Sequence, residues 1–412
     1  MIKTRKVILF FLVVIIAIST GCSRNNSNVV ENDYAIKAKA LTESVDGISE
    51  ANNKVAFKML KETINTNENK NIVISPISMN TILSLTQNGA AGETKEEMKN
   101  ALELGRYEDN NINESYKNII ANYNSLESIE LKMANSVWVG EDLKVEEDFK
   151  NIGREKYEAK IQNVDFSKRG TLKVINSWIE KQTNGKIKKI VDSIDGTAML
   201  LINSVYFKSK WLNQFEKKMT SKKIFTNSQG KAKKVNMMKE TQYVQYVKGN
   251  SFGSIRLPYE DENFGMYIFL PNEDSNVKEI LKEINNENWN MWIEKATEKE
   301  LQVQLPKFKI EFQQELNEML KEFGMEKAFS GDANFSNLSK EDDLFIDLVK
   351  QKCFIDVSEG GTEAAAVTEV DVDKCDVETE EVKQFIVNRP FVYAIADKNT
   401  GMILFMGTVN DL

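Results

Sequence analysis

The stretch Glu359-Gly360-Gly361-Thr362-Glu363-Ala364-Ala365-Ala366-Val367-Thr368-Glu369-Val370 decides how this chain is read. Every second residue from Thr362 (Thr362, Ala364, Ala366, Thr368, Val370, Val372) is small or β-branched and mostly apolar. The residues between them, Glu363, Ala365, Val367, Glu369, Asp371 and Asp373, are largely acidic. Side chains alternate faces along a strand, so this is the pattern of a half-buried strand. Two glycines precede it, and glycine accepts backbone angles that other residues resist. A flexible hinge followed by a slim strand predicts a loop segment able to move into a sheet.

The neighbouring sequence fits. Upstream, Gln351, Cys353, Ile355 and Val357 alternate with Lys350, Lys352, Phe354 and Asp356, which predicts an adjacent strand. Downstream, Asp371 to Glu381 is acidic and poor in aromatics, so it is expected to be exposed. Two apolar strands are then predicted, over 385–395 and 403–407, around a turn at Asp397–Gly401.

These segments resemble the serpins. The hinge, the Asn388-Arg389-Pro390-Phe391 segment and the closing Leu404-Phe405-Met406-Gly407 match that family in order and spacing. So do Ile74-Ser75-Pro76-Ile77-Ser78, Gly89-Ala90-Ala91-Gly92-Glu93-Thr94, Ile175-Asn176-Ser177-Trp178 with 181–187, and the run Asn203 to Trp211. The resemblance covers roughly 49–412 and implies an α+β fold, three β-sheets surrounded by helices with an exposed reactive-centre loop.

Composition bounds the chemistry. With 412 residues, 41% hydrophobic and 28% charged, the chain is globular in type. No Pro/Gly-rich linker divides 49–412, so one domain is expected there. The net charge of −8 argues against nucleic acid as a partner, because phosphate binding needs clustered Lys and Arg. There is no histidine, which excludes Ser-His-Asp and Cys-His catalysis and every His-containing metal site. Three distant cysteines form no zinc pattern, and no phosphate-cradling glycine motif is present. No catalytic residue, metal or cofactor is expected.

The amino terminus has its own logic. Basic residues up to Lys6 precede an unbroken apolar run of 12 residues, Val7 to Ile18. A membrane span needs about 20; the run fits a secretory signal. Ser19-Thr20-Gly21-Cys22 resembles a bacterial lipoprotein cleavage site, although Ser19 stands where Leu is usual. The expectation is a signal peptide over 1–21, lipid on the sulfur of Cys22, and a flexible polar tether over 22–48 leading to the domain at 49–412. Such a protein is exported and lipid-anchored at the outer face of the cell membrane, where a monomer is expected. Removing 1–21, which carries Lys3, Arg5 and Lys6 and no acid, takes the charge from −8 to −11.

Local motifs predict helix starts. Asn53 to Ile64 reads as an amphipathic helix, Thr94-x-x-Glu97 as a capping box, and Ser75 and Ser78 as the lead into a helix beginning near Met79. The resemblance implies more specific roles. Ser75, Ser78, Asn203 and Gln351 match the cluster that gates the main sheet (the shutter). Gln351 replaces a residue that is often histidine, and a glutamine cannot titrate. Trp211, Lys307 and Glu359 match the place where the loop first enters (the breach). Glu359, Gly360, Gly361, Thr362, Glu363, Ala364, Ala365, Ala366 and Val367 form the hinge. Cys353 falls on the apolar face of its strand, so a buried free thiol is expected; a Cys353–Cys375 disulfide is not.

The family places the attacked residue 16 positions after the one matched by Glu359, which gives the bond Cys375-Asp376, with Lys374 as the alternative if the register slips by one. Cys375 suits a subtilisin-, elastase- or papain-like protease, and Lys374 a trypsin-like one. The implied function is suicide inhibition: a serine or cysteine protease cuts the loop and is trapped as an acyl-enzyme when the loop inserts. The alternative is a non-inhibitory binding or carrier protein on the same scaffold.

Overall fold

The computed structural model describes residues 27–194, 196–341, 344–362 and 382–412, with side chains from Gly47 onward. Met1–Thr42 forms one unit and Glu43–Leu412 another. Helix α1 (Ser27–Thr66) includes the helix expected over 53–64 and also most of the segment expected to be a flexible tether, because 27–48 holds one glycine and no proline to break it. Both sheets belong to the second unit.

The six-stranded sheet runs, in spatial order, β10 (Phe308–Glu315), β11 (Leu348–Ser358), β12 (Gly361–Thr362), β4 (Met199–Lys210), β2 (Ile129–Gly140) and β3 (Lys160–Val164). The nine-stranded sheet runs β1 (Ile72–Ile74), β15 (Ile403–Val409), β14 (Phe391–Asp397), β8 (Phe264–Pro271), β7 (Phe252–Pro258), β6 (Ala232–Lys248), β9 (Thr297–Pro306) and β13 (Gln384–Ile386). β5 (Ser221–Thr226) joins it at the edge of β6. The long β6 pairs in turn with β5, β9 and β7. It thereby links what the resemblance implies as the second and third sheets into one ladder. Helices α3 (Gly92–Ala101), α4 (Asp109–Asn124), α5 (Glu147–Lys156), α6 (Arg169–Gln182), α7 (Val277–Glu283), α8 (Asn286–Lys295) and α9 (Asn317–Glu322) surround the sheets.

Helix α2 (Pro76–Gly89) is buried along its whole length. It starts at Pro76, three residues before the predicted Met79, because proline is pre-set for the first helical turn and needs no N–H partner there. β14 and β15 are buried at every position, which explains why their sequences are apolar runs without alternation. The predicted strand over 385–395 is two strands: β13 pairs with β9 and β14 with β15 and β8. Pro390 separates them, since it lacks an N–H and restricts Arg389.

The capping box at Thr94 and Glu97 does not form. α3 begins at Gly92, and no side chain caps it. Thr94 Oγ1 instead accepts from the Asn334 N–H (2.9 Å) and Glu97 from the Lys327 N–H (2.7 Å), tying the helix to a distant loop. The main core lies between the sheets and carries Val205, Phe207, Val349, Cys353, Ile355 and Val357 from the smaller one. A second core covers that sheet's opposite face, where α6 supplies Ile175 and Ile179 against Trp138, Tyr206 and Phe354. Phe354, predicted on the polar face of its strand, is therefore buried as well.

Candidate functional site: the seam between β11 and β4

β11 and β4 lie side by side and parallel, Leu348–Phe354 against Leu200–Tyr206. Above Phe354 the two strands part, and β12 occupies the gap. Thr362 stands opposite Val357 of β11 and Ser209 of β4, antiparallel to both. The start of the hinge is thus already a strand of the sheet, two residues long.

Aromatic and ionic contacts hold it there. Trp211 donates from its backbone N–H to Gly360 O (3.1 Å) and from its indole to Ser358 O (2.9 Å). Its ring stacks on Tyr259, centroids 4.7 Å apart and 7° from parallel. The Tyr259 hydroxyl lies 2.7 Å from Thr362 Oγ1, and Thr362 is fully buried. Glu359 accepts from Lys307 Nζ (2.6 Å) and from Thr220 Oγ1 (3.0 Å), and its carbonyl accepts from the Phe215 N–H (3.0 Å). Burial alone would raise the Glu359 carboxyl; the hydrogen bonds from Lys307, its own backbone and Thr220 outweigh that and hold it below the usual carboxylate range. The Glu359 side chain is 7% exposed and that of Lys307 36%, so the pair is more sheltered than a surface ion pair, which is worth little.

Gly361 is required by geometry. Its φ of 144° suits glycine, and a Cβ there would sit 2.2 Å from Ser209 O and 2.6 Å from Lys210 Cα. Only a residue without a side chain fits between the two backbones.

Lower down, where β11 and β4 touch, side chains bridge the seam. Gln351 Nε2 donates to Asn203 Oδ1 (2.7 Å) and to Ser75 O (2.9 Å), while the Ser75 N–H donates to Gln351 Oε1 (3.2 Å). Asn203 Nδ2 donates to Ser78 Oγ and to Asn135 Oδ1. Ser75 Oγ, rather than capping α2, donates to Leu404 O in the other sheet (2.7 Å). Gln351, Asn203, Ser75 and Ser78 are all buried. A buried network of this kind is stable only while every member is satisfied. Beside it, Cys353 is buried with a free thiol, and burial pushes that thiol above its usual range.

The structure therefore brings together Ser75, Ser78, Asn203 and Gln351 in one cluster, and Trp211, Lys307 and Glu359 in another. Asn135, Tyr259, Thr220 and Phe215 belong to these clusters and carry no signal in the sequence, because their partners are far away along the chain. Glu359, Gly360, Gly361 and Thr362 of the hinge are placed; Glu363, Ala364, Ala365, Ala366 and Val367 lie outside the described residues, as do Lys374, Cys375, Asp376 and Cys22. Among the described residues no cluster of acids and cysteines could hold a metal ion, and no helix is long and apolar enough to cross a membrane.

An α+β domain whose central sheet receives the root of its own loop defines a recognisable class. The family model for serpins (serine protease inhibitors) matches residues 50–412. The chain is 32% identical over 355 residues to intracellular coagulation inhibitor 2 of Tachypleus tridentatus, spanning 84% of this chain and 87% of that one. Among solved structures it is similar to the thermophilic serpin tengpin in its native state, with a TM-score of 0.82, 32% identity, and 89% of this chain and 94% of that one covered. It is also similar to human thyroxine-binding globulin, with a TM-score of 0.83, 26% identity, and 89% and 99% covered. This chain belongs to the serpin family.

Proposed function

We propose that this chain is an inhibitory serpin that traps a serine or cysteine protease by inserting its cut loop between β11 and β4. The observation that carries this reading is the position of β12. Thr362 is already paired to both strands, and continuing its register would set Ala364 opposite Ile355 and Phe207, and Ala366 opposite Cys353 and Val205. Thr368 would arrive opposite Gln351 and Asn203, the two residues whose direct hydrogen bond insertion must break. Its hydroxyl would give them a new partner. Val370 would follow opposite Val349 and Leu201, adding apolar burial late in the movement. Each fully buried aliphatic side chain contributes about 1.5–3 kcal/mol.

In this account Trp211, Lys307 and Glu359 hold the entrance, and Ser75, Ser78, Asn203 and Gln351 hold the middle closed. The segment from Glu363 to Val367 forms the moving hinge. Cleavage falls at Cys375-Asp376, or one residue earlier after Lys374. A strand from Thr362 to Asp373 adds roughly 40 Å of ladder, which carries the bonded protease far from where it bound and distorts its active site. The protease is subtilisin-, elastase- or papain-like, or trypsin-like if Lys374 is the attacked residue. The lipoprotein reading completes the proposal: lipid on Cys22 anchors the domain outside the cell through residues 22–48.

A carrier role has less support. The apolar cavity between β6, β7, β8 and α8, lined by Ile255, Tyr267, Phe269, Trp289 and Trp292, has about 10 Å³, room for one water molecule. A small-molecule site needs about 300 Å³ or more and mostly apolar walls; the cleft between α1 and α7 has the room, about 500 Å³, but five of its seven lining residues, Lys61, Asn65, Glu68, Lys278 and Lys282, are polar or charged.

The test is incubation with a protease panel. Inhibition predicts a detergent-resistant complex and a released peptide beginning at Asp376, or at Cys375 if Lys374 is the attacked residue. Cleavage with full turnover and no complex would refute it.

A further inference from the structure

In a chain of net charge −8, the 23 residues from Lys217 to Lys239 hold eight lysines and no acid. The run includes β5 and the first part of β6. Within this hairpin Ile224 stands opposite Lys234, and Lys222 opposite Asn236. Opposed residues share a face. Phe225, Val235 and Met237 are buried on the other face, so Lys222, Ile224 and Lys234 point outward together. Lys222, Lys223, Lys231 and Lys234 are exposed and form no ion pair with any described residue. Met219 and Ile224 stand 40% and 49% exposed among them.

The hairpin is fixed beside both ends of the loop. Just before β5, Thr220 donates to Glu359 at the loop's root. At the other end of β5, the Thr226 N–H donates to Asn388 O (2.9 Å), a few residues past the loop's return. The described residues flanking the loop, Glu359 and Asn388, are thus tied to the two ends of this strand.

We propose that the face carrying Lys222, Ile224 and Lys234 is a secondary docking surface for the target protease, which accordingly bears acidic residues around its active site. This rests on the inhibitory reading above. A polyanion fits the lysines but has no use for exposed Ile224 and Met219; a protein surface uses both. Lysines on an edge strand also guard against strand pairing with other chains, but such a guard gains nothing from an exposed isoleucine in its midst. Charges at the rim of an interface act mainly on the association rate and its salt dependence, so this surface selects the protease by speed of encounter, while the loop sequence selects it by fit.

The test measures the second-order inhibition rate of the purified chain against two proteases of the same cleavage preference, one with an acidic active-site rim and one with a basic rim. Salt is raised from about 0.01 M to about 1 M, shortening the screening length from about 30 Å to about 3 Å. The rate against the acidic protease should fall steeply with salt. Changing Lys222 and Lys234 together to Gln should slow it about tenfold at low salt, and together to Glu further still. The basic protease should show the reverse order, and all forms should converge at high salt. Three results would overturn the inference: equal low-salt rates for wild type and both variants; a difference confined to retention on an anionic polymer, which would assign the face to a polyanion; or aggregation of the variants with wild-type rates in their monomeric fraction, which would assign the lysines to guarding the edge. If complexes form but show this insensitivity, only the docking surface is refuted. If no protease forms a complex at all, the inhibitory reading fails and takes the docking surface with it.

Discussion

The upper and middle parts of the β11–β4 seam are built on opposite principles. At the top the strands are parted, and a two-residue strand is held between them by a stacked Trp211–Tyr259 pair, one glycine and a sheltered ion pair. In the middle they meet directly, sealed by the Gln351–Asn203 hydrogen bond and its serine neighbours. The top is open but occupied; the middle is closed but held by polar contacts that another polar group can replace. Under the proposed mechanism the barrier to insertion lies in the middle, while the direction of insertion is set at the top.

The strongest way to break this contrast is at Thr362. Thr362→Arg would place a guanidinium in a fully buried position without a partner, at a cost of several kcal/mol. The expected outcome is a substrate in place of an inhibitor, with trapped complex reduced by about two orders of magnitude on gels. Wild-type yield of complex would show that insertion does not depend on a small residue buried at Thr362.

Gln351→Leu tests the middle. It keeps the volume but leaves Asn203 and the Ser75 backbone short of partners, so the intact protein should lose about 2–3 kcal/mol and melt several degrees lower. Spontaneous insertion on warming should be faster. If the variant melts as the wild type does, the seam is not sealed there.

Lys307→Ala sharpens the view of the top. At neutral pH it should cost about 2 kcal/mol, the worth of a hydrogen bond to a charged group. The Glu359 carboxyl is held below its ordinary value in the folded state, so its contribution is complete above the usual carboxylate range and is lost as pH falls through the lowered value. The difference between wild type and Lys307→Ala should accordingly vanish in acid; a gap that persists under acid unfolding would show that the ion pair is not its source. The smallest effect belongs to Tyr259→Phe, which removes the hydroxyl facing Thr362 and should cost about 1 kcal/mol, readable as a small drop in melting temperature.

Legibility in the sequence followed the same division. The hinge was readable because a two-residue period and a pair of glycines are local patterns. The serines, Asn203 and Gln351 were recognisable only through resemblance, since 276 positions separate Ser75 from Gln351. Asn135 and Tyr259 were missed because nothing in their neighbourhoods distinguishes a network member from an ordinary strand residue. The errors were also local: Thr94 and Glu97 have capping-box spacing, yet the distant 327–334 loop uses both side chains. Alternation puts Phe354 on a polar face because it reports only one covered side, and α6 covers the other.

Thermal unfolding of the intact chain against the chain cut once in its loop is the most direct measurement. If the fold stores free energy that cleavage releases into a new central strand, the cut form melts far above the intact form and gains β-structure. Equal or lower melting of the cut form, with an unchanged β-sheet spectrum, would contradict the account.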